Sequence, residues 1–107
     1  VGAGPLPLPD AWADAVFVLF AAHEVRDDAE RAALFCELRR VLAPGAAIHV
    51  VEHLRDPANV LAYGPGAWHF LARATWLRTF AAAALHVTSE RRMTPFLRWF
   101  VLGSREA

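Results

Sequence analysis

The stretch Ala13-Asp14-Ala15-Val16-Phe17-Val18-Leu19-Phe20-Ala21-Ala22-His23-Glu24-Val25 decides how this chain is read. An acid opens an unbroken apolar run rich in β-branched and aromatic residues. Two small residues and a His-Glu pair close it. The run, about Ala15–Phe20, reads as a strand buried on both faces. Such strands belong to parallel sheets covered by helices, and ligands of those sheets sit beyond the carboxyl ends of the strands. Here that end carries Ala22, His23 and Glu24.

Downstream, Asp27 stands where a helix needs a cap, with Glu30 three residues on to complete a capping box. Leu34, Leu38, Val41 and Leu42 recur at helical spacing and form one apolar stripe, which leaves Arg31, Glu37, Arg39 and Arg40 toward water. Ala43-Pro44-Gly45 ends the helix, with Gly45 as its left-handed cap. Ile48, Val50 and Val51 then give strand propensity to a second strand, about Ala47–Glu52. Strand, capped helix, strand at this spacing is a βαβ unit, so the two strands are expected to be parallel. Upstream, Pro5, Pro7 and Pro9 remove backbone donors and make residues 1–12 an extended connector, with Asp10 turning the chain into Trp12.

After the second strand, residues 57–72 hold Pro57, Gly64, Pro65 and Gly66 among Leu61, Tyr63, Trp68 and Phe70. This segment leaves from the carboxyl end of a strand. It reads either as a lid over a site or as a loop pinned to the core by its aromatic residues. Thr75 is placed to cap a third helix running to about Leu85, with Leu77, Phe80, Ala81 and Ala84 on one side. Two strands follow, about His86–Arg92 and Phe96–Gly103, joined so tightly at Thr94-Pro95 that they must be antiparallel. The first is polar, as an edge strand should be, and the second is nearly all apolar. The second is therefore expected to insert beside the Ala47–Glu52 strand, with the polar one outermost.

Length and composition bound the rest. One domain at most fits in 107 residues, and an apolar fraction of 56% supplies a core. The 11 basic residues balance 11 acidic ones, which gives no electrostatic footprint for nucleic acid or an anionic membrane. Every basic residue is arginine, which together with abundant alanine points to a bacterial, GC-rich source. Cys36 is the single cysteine, so neither an internal disulfide nor a cysteine-based zinc site can form. No stretch has the length of a membrane span and no signal peptide opens the chain, so a cytoplasmic protein is the default expectation.

The pattern resembles the C-terminal half of class I S-adenosylmethionine-dependent methyltransferases, in particular small-molecule enzymes related to the quinone-biosynthesis C-methyltransferases. The resemblance rests on Leu6-Pro7-Leu8-Pro9-Asp10, Asp14-Ala15-Val16, His23-Glu24-Val25, Glu37-Leu38-Arg39-Arg40-Val41-Leu42-Ala43-Pro44-Gly45, Val50-Val51-Glu52-His53 and the closing hairpin. It implies an α/β, Rossmann-like three-layer sandwich with a mostly parallel sheet, of which residues 1–107 are the C-terminal part. The family's glycine-rich turn and its ribose-holding acid would precede Val1. Gly2 occupies the place of the adenine-contacting acid, Ala46 that of a second glycine, and Ala83-Ala84-Leu85 that of a small-Gly-Phe ending. The fragment alone is therefore expected to bind S-adenosyl-L-methionine weakly or not at all.

By the resemblance, Val18, Leu19, Phe20 and His23 line the methionine end of the cofactor. His23 is the candidate general base, the alternative being a helix-start histidine bonded to neighbouring backbone. Glu52 and His53 at the second strand's end, and Tyr63 and His69 in the following segment, are candidates to touch a small-molecule methyl acceptor. A metal site built from His23, Glu24, Glu52 and His53 is conceivable but is the disfavoured reading, because neighbours on a strand point to opposite faces and at most half of each pair would converge. Trp68, Trp76, Phe80 and Trp99 read as core rather than as a substrate cage, and Cys36 as packing. Two other readings stand beside this one. The first is a non-enzymatic remnant that forms a homodimer through an open sheet edge. The second is the rear half of a nucleotide-binding oxidoreductase, which usually lacks the closing hairpin.

Overall fold

A computed structural model describes residues 6–20, 25–65 and 71–104. The elements are β1 (Ala13–Leu19), α1 (Asp28–Val41), β2 (Leu42–His53), α2 (Pro57–Tyr63), α3 (Arg73–Ala82), β3 (Leu85–Thr94) and β4 (Leu97–Ser104). The strands form one sheet in the order β1-β2-β4-β3. β1 and β2 run parallel, and β4 pairs antiparallel with both β2 and β3. The fold is α/β as the pattern predicts, with the apolar last strand inserted and the polar one outermost.

Asp27 caps α1, its carboxylate accepting from the Glu30 backbone N–H at 2.8 Å. The buried stripe of the helix is Arg31, Phe35, Leu38 and Val41. Phe35, outside the predicted stripe, meets Trp76 and Phe80 of α3 edge-on, with centroids 6.3 and 5.4 Å away. These rings and Leu38 pack on Ile48, Val50, Phe100, Leu102 and Leu85, so α1 and α3 cover one face of the sheet. Each such side chain contributes about 1.5–3 kcal/mol by leaving water. Cys36 lies against this core, as expected of packing.

Three expectations are corrected here. Arg31 does not face water: it is 1% exposed, and its guanidinium donates to Val25 O at 2.8 Å and Thr79 Oγ1 at 3.0 Å and pairs with Asp28. It ties the loop before α1 to α3, and those acceptors offset the cost of burying the charge. Gly45 does not cap α1, which ends at Val41 with Leu42 as cap. Its φ of +81° lies inside an irregularity of β2, where the register with β1 moves from Ala13↔Leu42 to Ala15↔Ala47. Thr75 does not cap α3. The cap is Ala72, without a side-chain bond, and Thr75 sits in the first turn with its carbonyl accepting from Thr79 Oγ1.

The connector is held by side chains of α1. Glu37 accepts from the Leu6 N–H at 2.9 Å, and Arg40 donates to Leu6 O, Glu37 and Asp10. The Arg40 hydrogen bond and the Leu6 N–H hold the Glu37 carboxyl below the usual carboxylate range. Ala11 takes a φ of +52° in the turn that follows and donates its N–H to Arg40 O.

Candidate functional site

Paired residues of neighbouring strands share a face of the sheet. Val16, Val18, Ile48, Val50 and Glu52 therefore belong to the helix-covered face. Phe17, Leu19, His49, Val51 and His53 belong to the other. On that second face Phe17 is 64% exposed and Leu19 54%. β1 is thus not buried on both faces. It is an edge strand of the described sheet, with α1 and α3 packed on one side only.

At the carboxyl ends of β1 and β2 the chain gathers aromatic rings. Phe20 follows β1 with a φ of +59° and donates its N–H to Val51 O at 3.0 Å. That left-handed conformation costs a residue with a side chain about 1–2 kcal/mol, and such strain concentrates at functional positions. It sets the Phe20 ring 5.7 Å from the His53 imidazole. Tyr63, from the end of α2, meets the same imidazole edge-on at 5.3 Å, and Phe96 of the β3–β4 turn lies 6.2 Å beyond Tyr63. Phe20, Tyr63 and Phe96 are all exposed, and His53 is half-buried.

α2 builds one wall of this cluster, and it replaces part of the loop expected over 57–72. Asp56 caps it and Pro57 opens it, the arrangement a helix start favours. Asn59, three residues after the cap, is fully buried. Its backbone N–H donates to Asp56 Oδ1 at 2.9 Å, and its Nδ2 donates to Asp56 Oδ1 at 3.1 Å and Phe96 O at 3.0 Å. Both partners of Nδ2 are acceptors, so the amide orientation is fixed and Oδ1 faces His53 Nδ1 at 3.2 Å. His53 must then donate from Nδ1, which leaves Nε2 as the lone-pair nitrogen of the neutral ring. His49 has the opposite tautomer. Trp99 Nε1, which can only donate, bonds to His49 Nδ1 at 3.1 Å, and Phe17 stacks on the same imidazole at 4.9 Å.

The predicted site residues divide as follows. Phe20, His53 and Tyr63 come together. Leu19 ends β1 next to them on the exposed face, while Val18 turns to the helix-covered face. Glu52 is fully buried on that face, opposite in direction to His53. His23, Glu24, Trp68 and His69 lie outside the described residues. Trp76 and Phe80 are core, and Trp99 is a half-buried partner of His49. Among the described residues no group of three His, Cys, Asp or Glu side chains could hold a metal ion. The sequence reading missed Asn59 and Phe96. Asp56-Pro57, a cap followed by a first-turn proline, was the signal for the helix that carries Asn59.

A cavity of about 360 Å³, lined by Asp10, Arg39, Arg40, Pro44, Gly45 and Ser104, opens at the amino ends of β1 and β2, away from this cluster. Its guanidiniums are committed, Arg39 to Ala83 O and Arg40 to Asp10, Glu37 and Leu6 O. The aromatic cluster, not this cavity, stands where a sheet of this kind places its chemistry.

Residues 2–50 match the model of a methyltransferase domain. No curated protein matches the chain. Among solved structures, an S-adenosylmethionine-dependent methyltransferase from Aquifex aeolicus aligns with a TM-score of 0.75 at 19% identity, over 92% of this chain and 49% of that one. An S-adenosylmethionine-dependent methyltransferase from Methanosarcina mazei aligns with a TM-score of 0.70 at 17% identity, over 94% and 62%. A riboflavin-derivative dimethyltransferase from Streptomyces davawensis aligns with a TM-score of 0.74 at 16% identity, over 92% and 31%. The chain spans less than two thirds of the length of each of these proteins. Residues 2–50 thus carry the pattern of a methyltransferase domain, and the described strands and helices carry the fold of S-adenosylmethionine-dependent methyltransferases.

Proposed function

We propose that residues 1–107 are the C-terminal part of a single methyltransferase-like domain that moves a methyl group from S-adenosyl-L-methionine to a small-molecule acceptor. The observation that carries this reading is a coincidence of place. The methyltransferase-domain match covers β1, α1 and most of β2, and the carboxyl ends of those two strands hold the aromatic cluster around His53.

The residues fit one end of the cofactor. When bound, it supplies an electrophilic methyl on a sulfonium. Phe20 and Tyr63 offer exposed ring faces of the kind that attract a cation, and Leu19 adds apolar surface beside them. Among the described residues, the aspartates that follow the two strands are already used. Asp27 and Asp56 cap helices, and Asp28 pairs with Arg31. Groups for the ribose and adenine are to be sought outside these. The roles of the chain's own residues follow. Leu19 and Phe20 shape the wall at the methyl, Val18 supports it from the helix-covered face of β1, and His23 is a candidate base. His53 and Tyr63, with His69, touch the acceptor, and buried Glu52 supports the strand end. Alignment in a dry, walled space is most of what methyl transfer asks of a protein.

Saturation-transfer NMR with S-adenosylhomocysteine tests this on the 107-residue chain. Protons of the homocysteine end are expected to receive more saturation than those of the adenine. Equal transfer to both ends, or micromolar binding of the whole cofactor by this chain, overturns the reading.

The antiparallel β4 between β2 and β3 favours this reading over the rear half of a nucleotide-binding oxidoreductase, which usually lacks such a hairpin. The exposed Phe17 and Leu19 on edge strand β1 favour a second reading, a homodimer formed through that edge.

A further inference from the structure

We propose that α2 and the β3–β4 turn form an arginine-flanked apolar patch that docks the protein on the surface of an anionic lipid membrane. The proposal goes beyond the methyltransferase reading and does not rest on it.

Three observations carry it. The first is what stands exposed. α2 presents Val60, Leu61 and Tyr63, and the β3–β4 turn presents Met93 and Phe96. Leu61 is 89% exposed, so it projects from the surface instead of lining a groove. The β3–β4 register shifts between Arg92 and Thr94, which sets Met93 outside the strand pairing. Large apolar side chains left together in water mark a surface that something apolar receives.

The second is that the two segments are joined. Asn59 Nδ2 of α2 donates to Phe96 O at 3.0 Å, and the Tyr63 and Phe96 rings meet edge-on at 6.2 Å. Asn59 is fully buried, so the link lies inside the protein. The patch is therefore preformed, and little ordering opposes its docking.

The third is charge. The balance of 11 basic and 11 acidic residues over the whole chain conceals a local excess. Arg91 and Arg92 are exposed at the end of β3, and residues 57–63 and 91–97 contain no Asp or Glu. The carboxylates just before these stretches are engaged elsewhere: Asp56 caps α2, and Glu90 pairs with Arg73 and Arg98. Among the described residues neither Arg91 nor Arg92 pairs with a carboxylate. Arg92 stands directly opposite Arg98 on β4, a like-charge pair that a nearby anion relieves. Arg91 stands opposite Trp99, so the two guanidiniums leave opposite faces of the hairpin and flank its tip.

Projecting Leu, Met and aromatic side chains edged by arginine suit a lipid interface. The apolar groups enter the acyl boundary and the guanidiniums meet headgroup phosphates. An acidic protein would need a hollow shaped to Leu61, whereas lipids rearrange around it. Among the described residues no helix is long and apolar enough to cross a membrane, so the contact is with the surface.

Vesicle flotation tests this with the 107-residue chain. Vesicles of equal parts phosphatidylcholine and phosphatidylglycerol rise in a density gradient and carry bound protein with them, while self-associated protein stays below. The chain is expected to float with these vesicles, to be released by high salt, and to stay below with phosphatidylcholine alone. Replacing exposed arginines, as Arg91→Gln with Arg92→Gln, is expected to weaken binding about fivefold for each. Leu61→Asn, which removes no core contact, is expected to weaken it about tenfold. Absence of flotation, equal flotation with phosphatidylcholine alone, or binding unaltered in either variant overturns the proposal. A chain that does not float, and whose sedimentation-velocity distribution shifts in Leu61→Asn, would make the patch a contact between copies and also overturns it. No cofactor enters these experiments. Their failure leaves the methyltransferase reading standing, and failure of S-adenosylhomocysteine to bind leaves this proposal standing.

Discussion

Ala84 follows the α3 cap Ala83 with a φ of +59°, the left-handed place where helices favour glycine. An alanine held there bears strain that a glycine would not, partly offset by the freedom glycine adds to the unfolded chain. Ala84→Gly is expected to raise stability by about 0.5–1 kcal/mol. A denaturant midpoint that falls in the variant would count against this account. The same conformation at Phe20 is retained beside the aromatic cluster, whereas Gly45 meets its φ of +81° with the residue that adopts it freely. Ala84 was visible in the sequence as a departure from a small-Gly-Phe ending. Arg31 was not visible in this way. A charge on a helix reads as a surface residue, and nothing local indicates that Thr79, 48 residues on, will accept from its Nε. His53 was legible as a strand-end residue. Its hydrogen bond to Asn59 was not, because the aromatic-rich loop reading concealed the helix that carries Asn59.

Elements are joined here by shared charges as well as by apolar faces. Glu90 on β3 accepts from Arg73 of α3 at 2.8 Å and pairs with Arg98 of β4, so one carboxylate links a helix, the outer strand and the inner strand. The Arg73 hydrogen bonds, then Arg98, hold the Glu90 carboxyl below its ordinary value of 4.5. A carboxyl lowered on folding contributes stability above its unfolded value, and that contribution is lost as pH falls through the lowered one. Glu90→Gln is therefore expected to flatten the loss of stability seen on acidifying below about pH 4.5. Thermal melts across that range check it, and an equally steep acid limb in the variant would exclude Glu90 as a source. The contrast between a polar β3 and an apolar β4 was enough to order these strands from sequence, because an outermost strand must tolerate water. The break in β2 at Gly45 was misread, since Pro-Gly after a helix looks the same whether it stops the helix or bends the strand that follows.

For the whole molecule, the unequal covering of the two sheet faces matters most. Phe35, Trp76 and Phe80 bury one face, while Phe17 and Leu19 stand exposed on the other at an edge of the sheet. Apolar side chains beside unpaired strand backbone form a template for association. The 107-residue chain is expected to self-associate in solution, and Phe17→Lys with Leu19→Lys is expected to shift it toward monomer. Sedimentation velocity would show this, and an unaltered distribution in the double variant would place the contact elsewhere. The sequence reading expected β1 buried on both faces, because hydrophobicity reports what a strand could bury and not what is there to cover it. The strand order has one further consequence, for synthesis. β4 lies between β2 and β3, so Ile48 waits for Leu102 and each β2 residue of the central seam is made before its β4 partner exists. A ribosome that has delivered β3 has delivered a strand with nothing to pair against. The sheet can close only when the final hairpin emerges, which makes assembly of this chain a late, long-range event and its stalled or truncated translation products clients for chaperones.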